Sequence, residues 1–263
     1  MSDIRTIIGK EWTDMVRNKL VLYILIFVPL LMTAIPVVMI AVMRSVPISQ
    51  SDLDEISRMM QNPLFAGLAP AEAMQSVMAS NMLTLFLMMP LMVPVTISAY
   101  SIVGEKVSRS LEPLLATPIT TARLLIGKAL AAALPGIGMT WLCYAIFLVF
   151  ARFLSVSDRV FSIFIDPMWL VAMFVLVPLL TIMAVAVGVI VSSRTSDPRA
   201  AEQLGALVIL PLMVLYIGAM AGFIMLSTTT FLIASGITAL IDAGLVYLGV
   251  SLFRRENILT RWK

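Results

Sequence analysis

Apolar residues in this chain gather into six long runs, at 20–43, 82–103, 129–151, 169–192, 205–226 and 229–253. Each run holds 22 to 25 residues. An α-helix rises about 1.5 Å per residue, so about 20 apolar residues cross a ~30 Å hydrocarbon core. Five runs contain no Asp, Glu, Lys or Arg, and the sixth contains Asp242 alone. The pattern predicts an all-α membrane protein with six transmembrane helices. Residues 1–263 are expected to form a single transmembrane domain.

The polar segments carry their own periodicity. In residues 2–18, Ile4, Ile7, Ile8, Trp12, Met15 and Val16 recur at helical spacing, with Asp3, Arg5, Lys10, Thr13, Asp14 and Arg17 on other faces. This predicts an amphipathic helix over 1–19 lying in the membrane interface, with Trp12 at headgroup depth. The alternative is a plain helical extension of the first span; Lys19 at the boundary favours a bend. In the 44–81 segment, Leu53, Ile56, Met59 and Met60 suggest one short amphipathic helix, and Met74, Val77 and Met78 a second. Both are expected on the outer membrane surface or roofing the spans, as a gate, a lid or a passive cover. Prolines 29, 36, 90, 94, 135, 178 and 211 fall inside spans. Each removes a backbone donor and favours a kink.

Mean hydropathy of +1.03 and 13% charged residues exclude a soluble domain. Fourteen of the eighteen Lys and Arg fall on one set of alternate segments: the N-terminus, 104–128, 193–204 and the C-terminus. The positive-inside rule then places both termini and the 104–128 loop in the cytoplasm of a cell-membrane protein. The net charge of +3 is thus a topological signal, and no nucleic-acid partner is expected. No cleavable signal peptide is expected, because the first apolar run is long enough to span and no small-residue cleavage site follows it. The chain lacks histidine, which removes Ser-His-Asp hydrolysis, His-ligated haem and most zinc sites. Cys143 is alone in the third span and reads as a packing residue. The twenty methionines offer soft surfaces for hydrophobic cargo or for packing.

The loop at 104–128, GEKVSRSLEPLLATPITTARLLIGK, is the most specific stretch. Residues 110–115 form a short predicted helix with Leu111, Leu114 and Leu115 on one side, ended by Thr117-Pro118. Such a helix suits either a groove on another protein or a fold-back onto its own subunit. Through Glu105, Lys106, Leu111, Glu112, Leu114, Leu115, Thr117, Pro118, Gly127 and Lys128, this loop resembles that of ATP-binding-cassette exporter permeases of the second type. Arg109 and Ser110 stand where Gly-Thr is usual, and Val107 replaces a commonly charged position. The resemblance implies a cytoplasmic coupling loop, with Glu105, Leu111, Glu112, Leu114, Leu115 and Pro118 meeting an ATPase. It implies two copies of that ABC ATPase, holding ATP and Mg, below two copies of the permease. Glu105 is expected to pair with Lys10, with Arg17 or with the ATPase. The chain itself has no phosphate-binding Gly-x-x-x-x-Gly-Lys-Ser/Thr and is expected to hold no cofactor or metal.

Two further sites stand out. Asp242 lies near mid-membrane, where a carboxyl is either protonated, hydrogen-bonded to a neighbour or part of a hydrated pathway. Gly218 and Gly222 form a Gly-x-x-x-Gly in the fifth run, suited to close helix approach. In the resembled exporters the fifth span lies near the two-fold axis, so a homodimer contact is expected there, beside the alternative of packing within one subunit. The leading function is therefore the membrane subunit of an ATP-driven exporter. An ATP-independent ion-coupled transporter or channel is the alternative; it calls for several intramembrane ionisable groups, and Asp242 stands alone. An intramembrane enzyme lacks the paired carboxylates or histidine it would need.

Overall fold

The computed structural model describes residues 2–44, 67–107, 121–221 and 223–252. Every regular element among them is helical. Helices α1 (Ser2–Arg17) and α2 (Lys19–Met43) are separated by Asn18. The Asn18 side chain explains the break: its oxygen accepts from Leu20 N at 3.1 Å and Val21 N at 3.4 Å, satisfying two amides that open α2. The first span does not simply extend, and the bend falls one residue before Lys19.

Helix α3 (Pro70–Leu83) continues through a 3-10 turn (Thr84–Met88) into α4 (Met89–Val107). This second run starts well before 82. The helix expected around Met74, Val77 and Met78 is therefore its first part, not a separate surface helix. Ala73, Gln75, Ser76 and Val77 are buried there. Pro70 and the Glu72 carboxylate, which accepts from Ala69 N at 3.0 Å, start it. Leu53, Ile56, Met59 and Met60 lie outside the described residues.

The third run is α5 (Thr121–Leu154). Ser157 then caps α6 (Asp158–Phe164), and Asp166 caps α7 (Pro167–Val171). A π turn (Ala172–Leu176) leads into α8 (Val177–Arg194). Asp197 caps α9 (Pro198–Gly205), which passes through a 3-10 turn (Ala206–Ile209) into α10 (Leu210–Met220). Helix α11 (Thr228–Leu252) completes six runs long and apolar enough to cross a membrane.

The second run is the centre of the bundle: 78% of its most apolar stretch is buried, against 17% for the fifth. Small residues let its neighbours approach. A Cβ on Gly136 of α5 would lie 2.6 Å from Pro94 Cγ, on Gly188 of α8 2.8 Å from Ser98 Cβ, and on Gly205 of α9 2.5 Å from Val95 Cγ1. Without a hydrophobic drive between helices in lipid, such close van der Waals contact supplies the attraction. Toward the α3 end, Phe147 stands edge-on to Phe86 and Phe164 at 5.9 and 5.3 Å. The Tyr144 hydroxyl donates to the Phe164 carbonyl, and Cys143 is buried in the same core.

Gln75 ties the α3 end together. Its amide donates to Ile40 O at 2.9 Å and Leu154 O at 3.3 Å, and its oxygen accepts from Val156 N at 2.8 Å. Ile40 and Leu154 lie near the ends of α2 and α5, where carbonyls lack internal partners. One buried polar side chain thus joins three runs.

Candidate functional site

At the opposite end of the bundle, α1 meets the last turns of α4 and the first turns of α5. Gly127 opens the contact. A Cβ there would lie 2.9 Å from Ile7 Cγ2, so α1 packs into space the glycine leaves. One residue on, Lys128 Nζ lies 2.7 Å from Glu11 Oε1, 2.9 Å from Glu105 Oε2 and 2.7 Å from Ser101 Oγ. Lys10 Nζ reaches Glu105 Oε1 at 2.7 Å, and Glu11 and Asp14 at 3.7 Å each. Glu11, Glu105 and Lys128 have side chains 6–8% exposed, while Lys10 is half exposed.

Four groups, Lys10, Glu11, Glu105 and Lys128, sum to zero charge. Burial of a lone member would cost several kcal/mol. Each carboxylate here has an ammonium partner, and Ser101 fills a further position. Burial pushes the Glu11 pKa up, but the Lys128 charge and hydrogen bond, with help from Ser101 and Lys10, outweigh it and hold it low. Burial pulls Lys10 down, and the Glu105 hydrogen bond and the nearby carboxylates leave it raised. A cavity of about 120 Å³ beside Glu11, Asp14, Asn18, Tyr100 and Ser101 is wide enough for water.

Lys106 points the other way. Its ammonium donates to the carbonyls of Ser193 and Thr195 at 2.9 Å and of Ser192 at 3.3 Å. It closes the C-terminal end of α8, where a cation suits the unpaired carbonyls. Thr96 Oγ1 donates to Glu202 Oε1 at 2.8 Å and pins α9 to α4. Glu105 and Lys106, adjacent in sequence, thus bind α1 with α5 on one side and α8 on the other. Between Val107 and Thr121 the chain runs through the expected coupling segment.

Of the six residues expected to meet an ATPase, Glu105 is in this cluster, paired with Lys10 as one of the expected alternatives. Leu111, Glu112, Leu114, Leu115 and Pro118 lie outside the described residues. Glu11 and Ser101 were not singled out by sequence reasoning, and Lys128 was noted only as part of the motif. Opposite charges on three helices were the available signal, but their pairing is not written in sequence spacing.

Asp242 is buried on α11, 5% exposed, and neither carboxylate oxygen has a hydrogen-bond partner among the described residues. Ser235 and Thr238 share its helix face and donate back to Phe231 O and Ala234 O at 2.7 and 2.8 Å. Gly218 sits in the last turn of α10. Its carbonyl accepts from Phe223 N and Ile224 N, and a Cβ there would lie 2.7 Å from Ile224 Cδ1 of the same chain. Gly222 lies outside the described residues. Among those residues, no three His, Cys, Asp or Glu converge as a metal site.

No curated protein and no solved structure matches the chain. A family model described as ABC-2 family transporter protein matches residues 5–253, nearly the whole length. That span includes most of α1, all six membrane-length runs and the charge cluster. The chain belongs to the ABC-2 family of transporter proteins.

Proposed function

We propose that this chain is the permease subunit of an ATP-driven exporter. Two copies form the pathway across the cell membrane, and a separate ABC ATPase, also in two copies, holds ATP and Mg. Both termini and the 104–128 loop face the cytoplasm, as the distribution of Lys and Arg supports. Family membership supports the transport role and a catalytic site on another chain.

The observation that carries this reading is the cluster of Lys10, Glu11, Glu105 and Lys128. Glu105 stands at the start of the loop and Lys128 at its end, and they meet each other and α1. A push on Leu111, Leu114 or Leu115 therefore reaches the second span, the third span and α1 together. A loop anchored in this way is a lever for a partner beneath it. Asp242 is assigned to the pathway, where an unpartnered carboxyl would meet water or cargo. Gly218 and Gly222 are assigned to the neighbourhood of the two-fold contact.

Purification from the native host tests the reading. A nucleotide-binding chain should accompany the permease, and Leu111→Asp or Leu114→Asp should abolish that association while the permease still inserts. A charge forced into an apolar groove costs roughly several kcal/mol. A permease that transports alone, with no ATPase attached, would instead establish the ion-coupled reading. Retained association in both variants would place the contact elsewhere.

A further inference from the structure

Proline has no N–H, so the carbonyl that would have bonded to it is left open. The fate of that carbonyl is visible at four membrane prolines. At Pro90 the open carbonyl is Phe86 O, and the chain tightens so that Met89 N bonds to it. At Pro211 it is Leu207 O, taken by Leu210 N in the same manner. Both repairs are local 3-10 turns.

The other two repairs come from outside the helix. In α5 the helix keeps its register through Pro135, and the open carbonyl is Ala131 O. The Trp12 indole Nε1 of α1 donates to it at 3.0 Å. Before Pro178 the chain runs in π register, with Val177 N bonded to Ala172 O. That register assigns Met173 O to residue 178, and the Trp141 indole donates to it at 2.8 Å. Two tryptophans thus stand in for two missing prolyl amides, and each does so from a different helix.

Pro135 also sits where α5 touches the central run. Gly136 beside it packs onto Pro94 of α4 so closely that a Cβ would lie 2.6 Å from Pro94 Cγ. The path of α5 at Pro135 therefore decides how α5 lies on α4.

We propose that Trp12 is a positioning residue that locks the Pro135 turn of the third span to helix α1. Movement of α1 then alters the packing of α5 on Pro94. As a device for transport this rests on the reading above, that an ATPase acts at the α1 end. The lock itself does not.

Two spin labels test it in the full-length permease. Gly9→Cys on α1 and Gly138→Cys on α5, in a Cys143→Ala background, place labels where an added Cβ meets nothing within 4 Å. Trp12→Phe keeps an aromatic ring and removes the donor. Pro135→Ala returns a backbone donor to Ala131 O and makes the indole redundant. Each should at least double the width of the label distance distribution in the resting permease. The double variant should be no broader than either single one. An unchanged distribution in Trp12→Phe would overturn the lock, as would widths that add in the double variant. Should Trp12→Phe fail to fold, Pro135→Ala alone decides, since an unbroadened distribution there removes the idea. In the complex with its ATPase, ATP and Mg should shift the distance in the unsubstituted Trp12 background. The shift should fall by at least half in Trp12→Phe while ATP hydrolysis continues. An undiminished shift overturns the transport role. Failure to find any ATPase overturns the function proposed above, and the resting-state result still stands on its own.

Discussion

Lys128 Nζ lies 2.9 Å from Glu105 Oε2, so the residue that opens the third span is tied to the one that closes the second. Lys128→Met would leave Glu105 and Glu11 facing each other with a single half-exposed ammonium between them. Removing one member of a buried pair costs about 3–5 kcal/mol. Thermal unfolding should move sharply down in Lys128→Met, and less in Lys10→Met, whose partner keeps Lys128. Equal effects would mean that the burial difference between the two lysines carries no weight.

The cluster also sets a pH window. Glu11 has its pKa held below the ordinary 4.5, so its contribution is full above that value and is lost as pH falls through the lower folded value. Lys10 is raised above the ordinary 10.5, so its contribution is full below that value and is lost as pH rises through the higher folded value. Melting temperature should therefore be flat across neutral pH and fall in acid below the ordinary carboxylate range. In Glu11→Gln the acid limb should shrink. An acid limb of undiminished size would assign it to other carboxylates.

Gly127 should accept substitution only if Ile7 gives way. Gly127→Val places branched atoms where a Cβ alone would already lie 2.9 Å from Ile7 Cγ2. Overpacking of this kind costs about 1–3 kcal/mol. Ile7→Ala should recover part of the loss, read as melting temperature in the double variant. Absence of any recovery would mean that the helices meet in another register.

Much of this architecture was legible in residue pattern. The six apolar runs were enough for the spans, because a ~30 Å core demands length above all. The start of the second run was missed for a physical reason. Gln75, Ser76 and Ser80 look like surface residues, yet they are buried. The charge cluster was half legible. Lys10 is one of the three partners that opposite charge suggests for Glu105, beside Arg17 and the ATPase, and the pair forms. Glu11 was passed over, because an acidic residue reads as a solvated face until Lys128 is brought against it. The indole repairs were invisible, since nothing in spacing says which tryptophan reaches which open carbonyl.

Asp242 separates stability from activity. A buried carboxyl without a hydrogen-bond partner costs about 1–3 kcal/mol. Asp242→Leu should therefore raise the melting temperature. If the group lines the pathway, cargo movement should fall in the same variant and partly return in Asp242→Asn. A Leu variant with unchanged transport would confine Asp242 to packing.

Gln75 holds α2, α3 and α5 at one end of the bundle, and the charge cluster holds α1, α4 and α5 at the other. Pro94 and Pro135 lie between these two fastenings. A rod hinged at one end swings when pushed, whereas a rod clamped at both ends bows and springs back. The second and third spans are built in the second way. A push at their base would be stored as flexure at mid-length and returned, as a leaf spring returns a load, with the fourth and fifth runs carried along through Lys106 and Thr96.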